Sequence, residues 1–283
     1  MLELVLVIVI LGIVASIGAS AIANVYESYI VQRAVHRASI KCELAAMQIA
    51  NRLTYRLSSS LIGRTTAAGT LLPLDQVPDD SYKVLEWIAY DNDSFSAQST
   101  PGWSGFSDIN SSTASRNNIP TPGSDLSIAT TIIGNLGGSS TNDLALVFEG
   151  HEYNSTINYD ARCMGFSNSN CIFKPTIIDN THLNLNPATS APIVVTDQYK
   201  LAWSAYALVP EPAAAPTKLT LYYNYQPWDG SQSSAGSSSV LVDKFVSFRF
   251  KGDGDTVRFK LCIEEEIAAD ENVTICKEKA VIR

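Results

Sequence analysis

The sequence predicts an α+β protein in which one long N-terminal helix is laid against an antiparallel β-sheet body. Three features carry that reading: an uncharged apolar run at the start of the chain, a helical periodicity that continues past it, and β-favouring segments concentrated in the C-terminal half. With 283 residues, 46% of them hydrophobic, the chain is long enough to build a sizeable core and does not read as disordered.

After Glu3 no charged residue appears until Glu27, and the intervening LVLVIVILGIVASIGASAIANVY is rich in Val, Ile and Leu. As a helix this run spans roughly 35 Å, enough to cross the hydrocarbon core of a bilayer. A signal peptide would place Lys or Arg before a shorter apolar core. Here a glutamate comes first and the first basic residue is Arg33. A carboxylate at the edge of such a run is costly unless something pairs with it, which makes Glu3 a candidate functional residue; the plainer reading is a hydrated interfacial side chain.

Beyond the run, Tyr26, Ile30, Ala34, Ala38, Cys42, Ala45, Ile49, Leu53, Leu57 and Leu61 recur at steps of three or four and draw one apolar stripe. Arg33, Arg37 and Lys41 form a separate row, and Tyr26 and Tyr29 fall where an interfacial aromatic belt would lie. The expectation is one helix of about 60 residues ending near Gly63. The chain then divides into a membrane or filament-core segment at 1–25, an amphipathic continuation at 26–64 and a globular body at 65–283.

Within the body, residues 94–143 are rich in Ser, Thr, Gly, Asn and Pro without a sustained period and read as a long surface region. A β-sheet is expected over 144–283, from the segments 144–149, 172–178, 199–209, 218–225, 246–250, 256–264 and 273–282. VSFRFKGDGDTVRFKLCI reads as a hairpin closed around Asp253 and Gly254.

Charge adds an asymmetry. Only 17% of residues are charged, against roughly 25% in soluble domains. Residues 1–64 carry six basic and three acidic side chains, a balance of +3, and the remainder of the net −8 leaves −11 on the body. A basic helix on an acidic body suits copies that pack helix to body, as well as ordinary solvated faces, and argues against nucleic-acid binding by the body.

MLELVLVIVILGIVASI resembles the start of mature type IV pilins and type II secretion pseudopilins, in which a glutamate precedes an apolar run and a glycine follows nine residues later. Glu3 and Gly12 have that spacing. The likeness is specific over residues 1–25, extends as architecture to about residue 64, and continues loosely in a C-terminal order similar to the larger J-type minor pseudopilins. It implies a pilin-like fold, removal of a leader by a prepilin peptidase, N-methylation, residence in the bacterial inner membrane, and then assembly by the pilus or type II secretion machinery into a homo-oligomeric extracellular filament. In the family the glutamate is the fifth mature residue, so either two residues precede Met1 or Met1 is the first. Many major pilins carry a proline eight residues after the glycine; this chain has Ser20. The resemblance implies that Glu3 pairs with the N-terminal ammonium of a neighbour. Two alternatives stand beside the major subunit: a minor tip or priming pseudopilin, and a monomeric binding domain on a single-span anchor.

Five cysteines in an exported body invite pairing. Four allow three connectivities; closeness favours Cys163 with Cys171 and Cys262 with Cys276, leaving Cys42 as a buried thiol. Sequons occur at Asn92, Asn110, Asn154 and Asn272, and the last three have an acid two residues upstream, in Asp108, Glu152 and Asp270. Because acids are 28 of 283 residues, chance places one there about once in ten, so Asn110, Asn154 and Asn272 are glycosylation candidates. Asp91, Asp93, Asp253 and Asp255 could supply oxygen ligands to calcium, but GDGDT reads more simply as a turn, and no metal or cofactor is expected. With three histidines, no GxSxG and no nucleotide loop, the sequence offers nothing for catalysis, and the expectation is a structural protein and not an enzyme.

Overall fold

The computed structural model describes residues 2–95, 99–139, 143–149, 160–185, 195–268 and 271–282. Helix α1 spans Leu2–Thr54, 53 residues without interruption. Its C-terminal half buries Ala34, Ala38, Cys42, Ala45, Ile49 and Leu53, the stripe read from the sequence.

The helix stops nine residues before Gly63 because the chain is captured by the body. Arg56 bridges to Ala89, the Leu57 N–H donates to the Ile88 carbonyl at 2.8 Å, and Ser58–Ser60 make a single 3-10 turn. Leu57 and Leu61 are buried as expected, but from extended backbone. Arg56 closes the helix end: fully buried, it donates to the Leu53 and Val281 carbonyls at 2.8 and 3.3 Å, and to the Asp255 carbonyl. One side chain thus ties the helix C-terminus to two strand ends, satisfying carbonyls that the last turn leaves open.

The strands are β1 (Ile62–Arg64), β2 (Leu71–Pro73), β3 (Val84–Tyr90), β4 (Ile119–Pro120), β5 (Ala145–Phe148), β6 (Thr176–Asp179), β7 (His182–Asn184), β8 (Tyr199–Glu211), β9 (Lys218–Tyr225), β10 (Ser237–Asp243), β11 (Phe245–Asp253), β12 (Thr256–Ala268) and β13 (Glu271–Ile282). They form three antiparallel sheets. The largest has the order β10-β9-β8-β3-β1-β2, with β5 paired to the start of β8. Strands β11, β12 and β13 make a meander, and β4, β7 and β6 a small third sheet. The hairpin between β11 and β12 pairs Asp253 with Thr256 and turns through Gly254 at φ +55°, a conformation that suits glycine.

Strand is therefore not confined to 144–283: β1 to β4 lie before it. Nor is 94–143 all irregular, since a four-residue α2 (Asn92–Phe95) leads into it and α3 (Leu126–Asn135) lies within it. Asp125 caps α3 by accepting from the Ser127 N–H at 3.2 Å, and Leu126, Ala129 and Ile133 face inward.

The main core lies where α1 meets both larger sheets. Ala38, Cys42, Ala45, Ala46, Ile49 and Leu53 pack with Leu85, Trp87 and Leu208 of the first sheet and with Phe248, Phe259 and Leu261 of the meander. Small helix residues let the helix lie close to both. Behind the first sheet, Glu86 is buried against Arg64 at 2.5 Å and the Tyr225 hydroxyl at 2.7 Å. Burial raises the Glu86 carboxyl despite the guanidinium, and raises the Tyr225 phenol well above its ordinary value.

Candidate assembly surface

From Glu3 through Tyr29 every side chain of α1 is exposed, and the apolar stretch has mean hydropathy 2.8 with none of it buried. The helix is long and apolar enough to cross a membrane, by length and composition. Among the described residues no part of the body covers it, so its burial calls for something beyond them.

Glu3 sits in the first turn, where a carboxylate is favourably placed by the helix dipole. Gly12 lies on the open helix, with no atom near the position a Cβ would take. The structure places it on a face that the sequence reading did not single out. Gly12, Ser16 and Ser20 follow one another at steps of four, and the Ser20 hydroxyl donates back to the Ser16 carbonyl at 3.0 Å. Small residues on one helix face allow another helix to approach closely in an apolar medium. The signal was present as a small-xxx-small spacing.

A second missed feature lies on the outer side of the body-packed half. Ile40, Leu44 and Met47, exposed to 46%, 55% and 47%, line up at helical spacing on the face away from the sheets. Beside them Lys41 turns toward the body, 3.2 Å from Glu265. Glu43 is held below the usual carboxylate range, chiefly by its hydrogen bond from Lys279, with Lys277 adding to it.

Both expected disulfides are present. Cys163 and Cys171 close a short loop with Cα atoms 5.2 Å apart; Cys262 and Cys276 face each other across β12 and β13 at 4.1 Å. Cys42 is a buried free thiol, donating to the Leu261 carbonyl at 3.4 Å and pushed up by burial.

The glycosylation candidates differ in setting. Asn110 is exposed in an irregular turn. Asn272 is exposed but belongs to a paired strand, its amide 3.5 Å from Glu264. Asn154 lies outside the described residues. The four aspartates considered for calcium are not brought together: among the described residues, no group of three or more His, Cys, Asp or Glu side chains is placed to hold a metal.

A cleft of about 380 Å³ opens where α1 meets the edge of β3 and β8. Arg52 lies over the Tyr206 ring at 5.4 Å, and Tyr206 stacks on Trp87 at 5.8 Å. Asp91, at the floor, has its carboxyl raised by burial. The aromatic walls and cation give the cleft the chemistry of a small-ligand or peptide site.

Comparison with family models, with curated proteins and with solved structures finds no match.

Proposed function

We propose that the chain is a structural subunit of an extracellular filament of the type IV pilus or pseudopilus kind. The observation that carries this reading is the fully exposed apolar first half of α1, joined beyond the cationic turns of Arg33, His36 and Arg37 by a second exposed apolar patch of Ile40, Leu44 and Met47, more than 20 residues of helix past the middle of the apolar run. A single-span anchor has no use for apolar surface there. A subunit whose helices stack on those of its copies does, because each first half can cover the outer stripe of a neighbour. Before assembly the first half rests in the bilayer; afterwards other copies replace the lipid.

In this reading Glu3 sets the axial register by meeting a neighbour's N-terminal ammonium, and Gly12, Ser16 and Ser20 give close helix approach. The chemistry is packing and one ion pair, without catalysis or cofactor. Glycan, where added, goes first to Asn110, whose turn can present the amide without breaking a strand.

The cleft at Arg52 favours a second reading, an anchored monomer that binds a ligand. The two separate on whether the wild-type chain yields fibres, and Glu3→Ala made in cells lacking the wild-type chain then tests the register. Removing one partner of a buried pair costs about 3–5 kcal/mol. The variant should enter the membrane, form both disulfides and yield few or no fibres; undiminished fibres would return Glu3 to a hydrated interfacial role.

A further inference from the structure

The outer face of β12 is electrically bipolar. Val257, Phe259, Leu261 and Ile263 point inward to α1, so the alternate positions Arg258, Lys260, Cys262, Glu264 and Glu266 point outward. Read along the strand, this face carries two cations, the disulfide to Cys276, and two carboxylates. A neighbouring strand strengthens the basic end: Arg249 lies directly opposite Lys260, and Lys251 opposite Arg258. At the other end the uncharged Thr274 and Asn272 lie opposite Glu264 and Glu266.

Like charges placed directly opposite across a sheet destabilise it. Two such pairs stand side by side here: Lys260 has Glu278 opposite it on β13, whereas Arg258 has only Ala280, so the Lys251–Arg258 pair is the less relieved of the two. Arg249 reaches Asp80 at 3.2 Å; Lys251, Arg258 and Lys260 make no ion pair among the described residues. A groove of about 390 Å³ runs over these four cations, rimmed by Asp79, Asp80 and Glu278, for a net charge of +1. Asp79 is engaged by the Ser81 N–H. Glu264 and Glu266 form no ion pair among the described residues and make the other end −2.

We infer that this face is a head-to-tail docking surface between copies, the acidic end of one subunit seated in the basic groove of the next. Six residues of strand separate the centres of the two ends, an offset of about 20 Å. The two ends differ, so the contact is heterologous, the class of contact from which an open filament is built when its rotation does not close a ring. The inference rests on the filament reading and adds to it a body-to-body contact independent of α1. Asn272 lies inside the acidic end, so a glycan on it and this contact exclude one another.

Charge reversal tests it. Arg249→Glu with Arg258→Glu turns the groove from +1 to −3; Glu264→Lys with Glu266→Lys turns the acidic end from −2 to +2. Each double variant, as the only subunit in the cell, is expected to lower sheared-fibre yield about tenfold. The quadruple variant, with signs opposed again, should recover most of it. Melting of the Arg249→Glu, Arg258→Glu chain in detergent should stay close to wild type, because two repulsive cross-strand pairs become attractive while only the exposed Arg249–Asp80 pair is lost. Wild-type yield from either double variant, no recovery in the quadruple variant, or glycan on Asn272 of assembled subunits would overturn the docking surface and leave the filament reading standing. Absence of fibres from the wild-type chain would overturn both.

Discussion

Between Leu4 and Val25, helix α1 exposes every side chain, most of them Leu, Ile, Val or Ala; between Ala34 and Leu53 it seals one side chain in every three or four against two sheets. The more hydrophobic half is the one the fold leaves uncovered. The buried half uses Ala38, Cys42, Ala45 and Ala46, small residues chosen for closeness of approach more than for apolar area. Burial inside the chain therefore follows amphipathic spacing, whereas the uniformly apolar half is matched to a surrounding that the chain does not supply. By length and composition a lipid bilayer fits, and on the filament reading its own copies take the bilayer's place.

The largest expected effect comes from removing residues 1–33. If the first half contributes nothing to the body, the remaining chain should fold as a soluble monomer with Cys163–Cys171 and Cys262–Cys276 intact, losing membrane association and fibres entirely. Non-reducing mass mapping and size-exclusion chromatography check this, and an aggregated or reduced product would break the comparison.

A pair of single substitutions sharpens it. Ile49 is fully buried in the main core and Ile8 is exposed. Ile49→Ala should cost the body about 2–5 kcal/mol. Ile8→Ala should change the same denaturation midpoint by less than about 0.5 kcal/mol. Equal costs would show that the two halves are not separate in energy.

A smaller effect belongs to the body alone. Tyr199, Tyr206, Tyr222 and Tyr225 are all shifted up: burial is the leading cause in Tyr199, Tyr206 and Tyr225, and the hydrogen bond to Glu211 takes Tyr222 to about 12. In the unfolded chain a tyrosine loses its proton near pH 10. The folded phenols hold theirs longer, so their stabilisation is complete below about pH 10 and is lost as pH rises through the folded values. For the fully buried Tyr225 the loss approaches about 1.4 kcal/mol per pH unit. Denaturant titrations of the 34–283 chain should fall in midpoint above pH 10, and Tyr225→Phe should flatten that slope.

Much of this was legible in the sequence where one period ran long enough. The stripe from Ala34 to Leu53 and the strands from Tyr199 onward, apart from β10, needed only spacing, and two cysteine pairs close in sequence needed only proximity; β10 was hidden by the serines with which it begins. The helix end was not legible, because Leu57 and Leu61 keep the helical spacing while their backbone is taken by the edge of β3, an effect of tertiary pairing. VLEWIAY at 84–90 became a strand buried on both faces, which leaves no alternation to read. Helix α3 was hidden by the Ser, Thr and Gly around it, although Asp125 before Leu126, Ala129 and Ile133 was a usable cap and period. The outer stripe of Ile40, Leu44 and Met47 was the hardest to see: three residues beside a stronger stripe gain meaning only once the body is known to lie on the other side.

Direct imaging of the cell surface tests the central claim, that the exposed half of α1 is built to be covered by copies of itself. Cells making the wild-type chain should carry thin fibres whose reconstructed core is closely packed residues 3–33, with the bodies outside and a neighbouring helix lying over Ile40, Leu44 and Met47. Recovery of the wild-type chain only as a membrane-bound monomer, with no fibres under conditions in which the host's other surface appendages form, would contradict the account.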